Sequence, residues 1–390
     1  MITVEVNNIR YSNFKEIAVN ASLEDAARNF SFTTVSTSFD DFPMKTGDSI
    51  GIYADNALRL TGYIERVRRF QNPTTDVYTV SGRSKTADLI DSTIDHRVQF
   101  KGKQSLRTVA ETLVWYLISQ PLPQDDIAAD PPPDFVGPRR NPLAIGVVID
   151  EDIEDFRDDE DLDEELGQTY FEIIEKFARK RSVLVTTNGK GDLVFTRGKG
   201  YLGTPFKIRN VRGDSENNMV KEMSVIYDVS GRFNTYDASS QPAKGTIRPI
   251  SEITPDNMIL GDGRVIDPNI RVSRKRFFVT ENSSTAFDCQ NRAAWEKNVA
   301  KSKSVQYEIT MQGHSFNGNV WDSNISVDVL DDFANIEARM LVNSVSFRQS
   351  VSGGATTKLV CLPPNAFTFP ERKLDDFLGE RYQDIPLGPF

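Results

Sequence analysis

Histidine and cysteine are scarce in this chain, with two of each among 390 residues. Cys289 and Cys361 fit neither a zinc-ligand spacing nor a disulfide framework, so two free thiols are expected, in a protein made in a reducing cytoplasm. His96 and His314 are the only imidazoles, which leaves little material for base-assisted nucleophilic catalysis. Long apolar runs are also missing. The best helical candidate offers only residues 113–118, far short of the ~20 needed to span a bilayer, so no membrane insertion is expected. The start, MITVEVNNIR, lacks a basic stretch followed by an apolar one and reads as no secretory signal. What remains is ordinary: 38% hydrophobic and 10% aromatic residues, enough for sizeable cores in two to four domains.

The net charge of −10 is not spread evenly. Residues 150–165, DEDIEDFRDDEDLDEE, hold twelve acids and one arginine, and the rest of the chain is close to neutral. A near-neutral body does not predict nucleic-acid binding by a basic surface. The run reads as a solvated, self-repelling loop. A sharper alternative has it meeting a basic patch on a partner, or lining a channel where negative charge keeps DNA from sticking. It has no central glycine, which a calcium-binding loop needs. A glycosidase carboxylate pair depends on separation in space, which sequence does not set.

Along the chain, residues 1–95 read as strands at 2–6, 30–36, 49–53, 58–70 and 77–82, a small β-barrel or sandwich. The long strand slips phase near Glu65–Arg66, which predicts a bulge there. Residues 96–205 change character. A helix capped by Ser105 carries Leu106, Val109, Ala110, Leu113 and Leu117 on one face. An irregular Pro-rich and acidic excursion, 121–165, follows. A second helix opens on the capping-box pair Thr169 and Glu172 and leads into a hairpin, SVLVTTN at 182–188 with DLVFTR at 192–197. Strands return at 220–230, then a breaker-rich loop to about 276, a helix near 285–301, and strands at 305–313, 324–330, 338–350 and 356–362. The aromatic- and proline-bearing tail, 365–390, reads as an extended arm.

Residues 47–83 and 322–363 repeat one pattern: short strand, polar turn, long strand, polar break, closing strand. Two similar β domains in one chain would give six around a threefold axis, a geometry able to dock on a sixfold ring. Chance likeness of two antiparallel domains is the plain alternative.

Short motifs of catalysis do not hold up. Gly47-Asp48-Ser49-Ile50-Gly51 matches G-x-S-x-G, yet its serine enters a strand and not a strand–turn–helix elbow. Gly198-Lys199-Gly200-Tyr201-Leu202-Gly203 matches G-x-G-x-x-G, but Thr204-Pro205 and a β-like segment follow where a helix N-terminus is required. The basic cluster Arg271, Arg274, Lys275 and Arg276 lacks interleaved stacking aromatics and reads as solvated or salt-bridged. Trp115, Trp295 and Trp321 read as core or subunit contacts. No catalytic, cofactor-binding or metal-binding residue is therefore assigned, and no enzyme is expected.

GRSKTADLID at 82–91 resembles the baseplate hub proteins of Mu-like contractile phages. So do, in order, FKGKQSLRTVAETL (100–113), GQTYFEIIEKFARKRSVLV (167–185), GDLVFTR (191–197), YDVSGRFNTYD (227–237), DPNIRVSRKR (267–276), NRAAWEKNVA (291–300) and LPPNAF (362–367). Residues 124–165 depart from the pattern, being longer and more acidic. The resemblance implies a mainly β, multidomain chain with α+β parts. Its expected limits are a first tube-like β-barrel (1–95), an α+β domain (96–205), a second tube-like β-barrel (206–232 with 302–364), an inserted loop-and-helix domain (233–301) and the arm (365–390). It implies a structural homotrimer in the virion tail baseplate, joining the hexameric tail tube to the central spike, as in the hub portion of type VI secretion spikes. Baseplate wedge proteins are further expected neighbours, and tape-measure protein and DNA would pass along its axial channel without specific binding. The alternatives are a tail-associated peptidoglycan hydrolase and a host-binding or spike protein; the last would show fibrous repeats, which are absent.

Overall fold

Alternation with period two organises the first 84 residues into strands that bury one face. β1 (Ile2–Val6) and β2 (Ile9–Tyr11) form a hairpin whose turn residues, Asn7 and Asn8, both take positive φ. β3 (Glu16–Ser22), β4 (Asn29–Thr34), β5 (Ser49–Ala54), β6 (Ala57–Asn72) and β7 (Thr75–Ser84) complete this first unit. The computed structural model describes residues 1–35, 42–73, 75–94, 100, 104–119, 143–150, 153–156, 167–214, 218–240, 262–280 and 286–368. The expected strand at 30–36 ends at Thr34, and β2 and β3 are additions to the sequence reading.

An α+β unit follows. α1 (Ala87–Asp91) and α2 (Leu106–Ser119) precede β8 (Val147–Ile149), α3 (Tyr170–Lys180), β9 (Leu184–Thr187) and β10 (Leu193–Thr196). The Ser105 hydroxyl accepts from the Thr108 amide, and Thr169 with Glu172 forms the reciprocal capping box. The β9–β10 hairpin gains β8 as a parallel third strand. This corrects the reading of 121–165 as wholly irregular. Ile145 and Phe156 are buried with Leu113, Ile173 and Phe177 in one core, because burying these apolar side chains removes them from water. Most of the acidic run, with residues 120–142, lies outside the described residues.

The second β unit comprises β11 (Lys207–Asn210), β12 (Val220–Tyr227) and, after an insertion, β16 (Val305–Gln312), β17 (Ser315–Phe316), β18 (Asn319–Val320), β19 (Ser326–Asp331), β20 (Ile336–Ser350) and β21 (Gly354–Leu362). The insertion is not the expected loop. Its described part holds β13 (Thr235–Ser239), β14 (Asp262–Ile266) and β15 (Lys275–Val279), a sheet of order β14-β13-β15. α4 (Ala286–Lys303) covers it, burying Cys289 and Ala293 against Tyr236 and Ala238. These strands are short and separated by long breakers, so they left no periodic signal.

The two β units have the same strand order. The first runs β3-β4-β7-β6-β5-β1 and the second β12-β16-β21-β20-β19-β11, with β11 parallel where β1 is antiparallel. Each long strand is bulged at the matching place, between Ile64 and Arg66 in β6 and between Val342 and Ser344 in β20. Each is preceded by the same turn. Gly47 and Asn324, both at positive φ, donate to the carbonyls of Ile64 and Val342, whose own amides return to Asp48 and Ile325. The bulge expected near Glu65–Arg66 is thus present, and present twice.

Closure of either unit into a barrel is not found among the described strands. β3 pairs instead with the second half of β20, from Ser344↔Ser22 to Ser350↔Glu16, and joins both units into one 13-stranded sheet. A single apolar core runs through both, including Val19, Phe32, Ile309, Trp321, Val345 and Phe347.

Candidate functional site

With no catalytic constellation to follow, the parts that bear on function are the joints between units and the surfaces left open. GRSKTADLID is such a joint. Arg83 forks between Glu65 and Asp91, and these bonds hold its guanidinium above its ordinary pKa while the Asp91 carboxyl falls below its own. Ser84 accepts from the Arg28 amide, Lys85 bridges to Asp192 at 3.2 Å, and Leu89 enters the α+β core. The motif ties the first β unit to the next by ion pairs on one side and apolar burial on the other.

A second joint was not foreseen. Arg28, 4% exposed, reaches three units: Nε donates to the Thr187 carbonyl, Nη1 to that of Arg59 and Nη2 to Asp322 at 2.9 Å. Arg59 donates to the other oxygen of Asp322, also at 2.9 Å, and to the Trp321 carbonyl. Burial pulls the Arg59 guanidinium below its ordinary pKa; Asp322 opposes the fall and the like charge of Arg28 adds to it. One carboxylate therefore serves two desolvated arginines where first unit, hairpin and second unit meet. The partners lie hundreds of positions apart in sequence, so no local pattern signals them.

The candidate motifs resolve into structure. Gly47 is the turn described above, and Ser49 begins β5, paired with Tyr63. His96 lies outside the described residues. His314 is buried, with the Thr357 hydroxyl, which itself donates to the Gly313 carbonyl, at Nδ1. That hydroxyl's proton is committed, so Nδ1 carries the hydrogen of the bond and Nε2 is left buried without a partner. Burial lowers this imidazole to about 4. Gly198 and Gly200 cradle protein backbone. An added Cβ would lie 1.9 Å from the Ala366 carbonyl oxygen or 2.6 Å from that of Pro364. LPPNAF is docked there, with Phe367 buried beside Trp295 and its carbonyl accepting from Gly198. The first residues of the expected extended arm, 365–368, are thus packed against the fold; residues 369–390 lie outside the described set.

In the basic cluster Arg274 and Arg276 lie over the Phe233 ring, at 5.1 and 5.8 Å, and Arg276 reaches Glu296 at 3.7 Å. Beneath it Arg232 and Asp267 form a buried pair at 2.7 Å. Trp295 and Trp321 are core residues, while Trp115 is 59% exposed on α2. Both cysteines are buried, and neither forms a disulfide among the described residues. No group of His, Cys, Asp and Glu among the described residues is placed to hold a metal ion. No described helix is long and apolar enough to cross a membrane.

Two surfaces stay open. A broad polar groove crosses the β3–β20 junction on the side of the sheet away from the core, lined by Ala18, Ser31, Thr79, Thr310 and Thr356 with Glu16, Lys221 and Arg348. Among the described strands, β12 has no second neighbour, and neither has the second half of β6.

Comparison with known proteins agrees with this architecture. Residues 1–84 match the N-terminal domain of the family described as Mu phage baseplate assembly protein GpP-like. Residues 140–197 match the second domain of baseplate hub protein gp44-like sequences, and residues 284–371 the fourth domain of Mu phage baseplate assembly protein GpP. Baseplate hub protein gp44 of Escherichia phage Mu is 23% identical over 381 residues, 95% of this chain and 89% of that one. The fold is that of a 43 kDa tail protein of prophage MuSo2 from Shewanella oneidensis, with a TM-score of 0.69, 22% identity, and coverage of 94% of this chain and 98% of that one. It extends at a TM-score of 0.52 and 9% identity to the E. coli c3393 protein, a component of the type VI secretion system, over 95% of this chain and 79% of that one.

Baseplate-type domains at both ends and in the middle, on a tail-protein fold, define the class as a structural protein of a phage tail. Within it the chain is a homologue of the Mu baseplate hub, a baseplate hub protein of a Mu-like phage virion. Its relatives are named as structural baseplate proteins.

Proposed function

We propose that three copies of this chain form the hub ring of the tail baseplate, joining a hexameric tail tube to the central spike, with wedge proteins as outer neighbours. The observation that carries this is the repeat: one strand order, one bulge position and one preceding turn occur twice in a chain. Three such chains present six near-equivalent units, which reconciles a threefold spike with a sixfold tube. The domain limits we assign are 1–95, 96–205, 206–232 with 302–364, and the insertion 233–301.

The polar groove supplies the wall of an axial channel. It is lined by short hydroxyl side chains and by charges of both signs, with Ile17, Ala18 and Phe32 among them and without a strongly basic stretch. Such a wall gives a tape-measure protein or DNA little to adhere to. The hub works by shape and contact and carries no catalytic step. Light scattering on the purified chain, alone and with the spike protein, tests the ring: a threefold mass is expected, and a monomer under both conditions overturns it. Clearing of peptidoglycan by the purified chain, abolished by one carboxylate substitution, would replace this reading with a hydrolase.

A further inference from the structure

The junction between the two β units inside one chain is a template for the junction between chains. Matching the bulges sets Glu65 on Asn343 and therefore Arg66, Val67, Arg68 and Arg69 on Ser344, Val345, Ser346 and Phe347. In the second unit β12 takes the place of β3. Val19 and Val225 face Phe30 and Tyr307, and both of those aromatics lie opposite equivalent residues of the closing strands, Gly82 and Cys361. Within the chain, β3 fills the free flank of β20. Among the described strands, the two equivalent edges, β12 and the second half of β6, are the ones left open.

Their side chains differ from their filled counterparts as unpaired edges should. Ala21 is buried at 5% and Leu23 at 0%, whereas Tyr227 and Val229, which occupy the matching places, are 52% and 38% exposed. Phe347 is 1% exposed in the filled junction, and Arg69, at the matching place of β6, has a side chain 26% exposed. Open strand edges with apolar residues beside them are templates for another chain.

The geometry points to β12 of one copy pairing antiparallel with the second half of β6 of the next copy, in the register of β3 on β20. Transferring that register sets Arg66 opposite Asp228, Val67 opposite Tyr227, Arg68 opposite Ile226 and Arg69 opposite Val225. Tyr227 is then covered by Val67. Arg66, which has no ion-pair partner among the described residues, meets a carboxylate. The intrachain counterpart of that last pair is neutral, Ser344 with Ser22, so the charge distinguishes the contact between copies from the one within. The pairing is heterologous, β12 to β6, and repeats until it closes. It rests on the ring proposed above and adds which edges meet and in which register.

Cross-linking tests it on the full chain. Ser346→Cys with Asn20→Cys is the intrachain reference, since the Ser346 hydroxyl and the Asn20 side-chain oxygen lie 2.6 Å apart. Arg68→Cys with Ile226→Cys is the transferred pair. Under mild oxidation the reference closes within the monomer, and the transferred pair gives a covalent ladder ending at three copies. Arg68→Cys with Ser224→Cys, two residues out of register, cross-links far less. A threefold mass by light scattering without the Arg68–Ile226 ladder overturns this edge and register while the ring stands. A monomeric mass with the reference bond formed overturns both. A ladder continuing beyond three copies keeps the pairing and removes the closed ring.

Discussion

The first half of the sheet and the second are near copies, but only one of their two equivalent edges is satisfied. Where β3 meets β20, Val19, Val345 and Phe347 are buried at 1–2% and lie in the common core. Where β12 and β6 stand open, Met223, Val225 and Val67 are only partly buried against that core. The same backbone plan therefore yields a finished junction and an unfinished one. The difference lies in what is supplied from outside the unit, not in local propensity. In the filled junction the chain supplies the neighbour itself.

The largest expected effect falls on the filled side. Phe347→Ala removes a ring packed by Val345, Val19 and the His314 imidazole, with ring centroids 5.6 Å apart in the last pair. A loss of about 3–5 kcal/mol is expected from buried aromatic truncation. Its counterpart Arg69 is held by a partly exposed bond to Asp76, so Arg69→Ala should cost the single chain under ~1 kcal/mol. Urea unfolding of both variants checks the pair. Equal costs would show that the two junctions are equally finished in the monomer.

Next comes the three-way joint. Asp322→Ala leaves Arg28 and Arg59 buried with no carboxylate, and breaking a buried pair by one partner costs roughly 3 kcal/mol or somewhat more. Asp322 is itself about a quarter exposed, which places the expectation at the lower end. A change below ~1 kcal/mol in chemical unfolding would mean that water already screens the arginines.

Both strands of the open edges, β6 and β12, are legible in sequence, whereas of the filled junction only β20 is. Alternation located β1, β5, β6, β16 and β20 because their inward residues are Val, Ile, Leu, Met and Phe at period two. β3, EIAVNAS, alternates as well, but its alanines and asparagine are weak strand formers and it passes for loop. Its role appears only when its partner is known to be β20, more than 300 residues away. The same distance hid Arg28 and Asp322. The glycine motif at 198–203 lacks a following helix in sequence, and what its glycines do make room for is seen only with LPPNAF in place against them. Local signals reported caps, turns and bulges faithfully. Nothing local reports which edge a strand will meet.

A pH measurement sharpens the comparison at intermediate size. His314 is neutral in the fold, its pKa lowered by burial to about 4 from an ordinary 6.5, and protonation would place a second N–H at Nε2 with no acceptor. Below pH 6.5 the unfolded chain binds a proton that the folded one refuses, so stability falls as pH drops from 6.5 toward 4 and this contribution levels off below. About 3 kcal/mol is at stake over that window. His314→Asn, with an amide nitrogen in place of Nδ1, should be less stable at neutral pH yet lose the extra slope. An unchanged slope would assign the acid sensitivity to carboxylates instead.

The smallest effect on the single chain belongs to the open edge. Tyr227→Ser alters a half-exposed ring and should shift monomer stability by no more than ~0.5 kcal/mol. Ala21→Ser, the same new side chain at the filled position, buries a hydroxyl and should cost about 1–2 kcal/mol. In the assembled ring the order reverses. Tyr227 then lies under Val67 of the next copy, so its loss weakens association and makes thermal stability more dependent on protein concentration. Ala21→Ser leaves that dependence unchanged, because its junction never opens to another copy. Thermal unfolding of both variants across a concentration series separates the two edges, and parallel concentration dependence would mean that β12 is not where the copies meet.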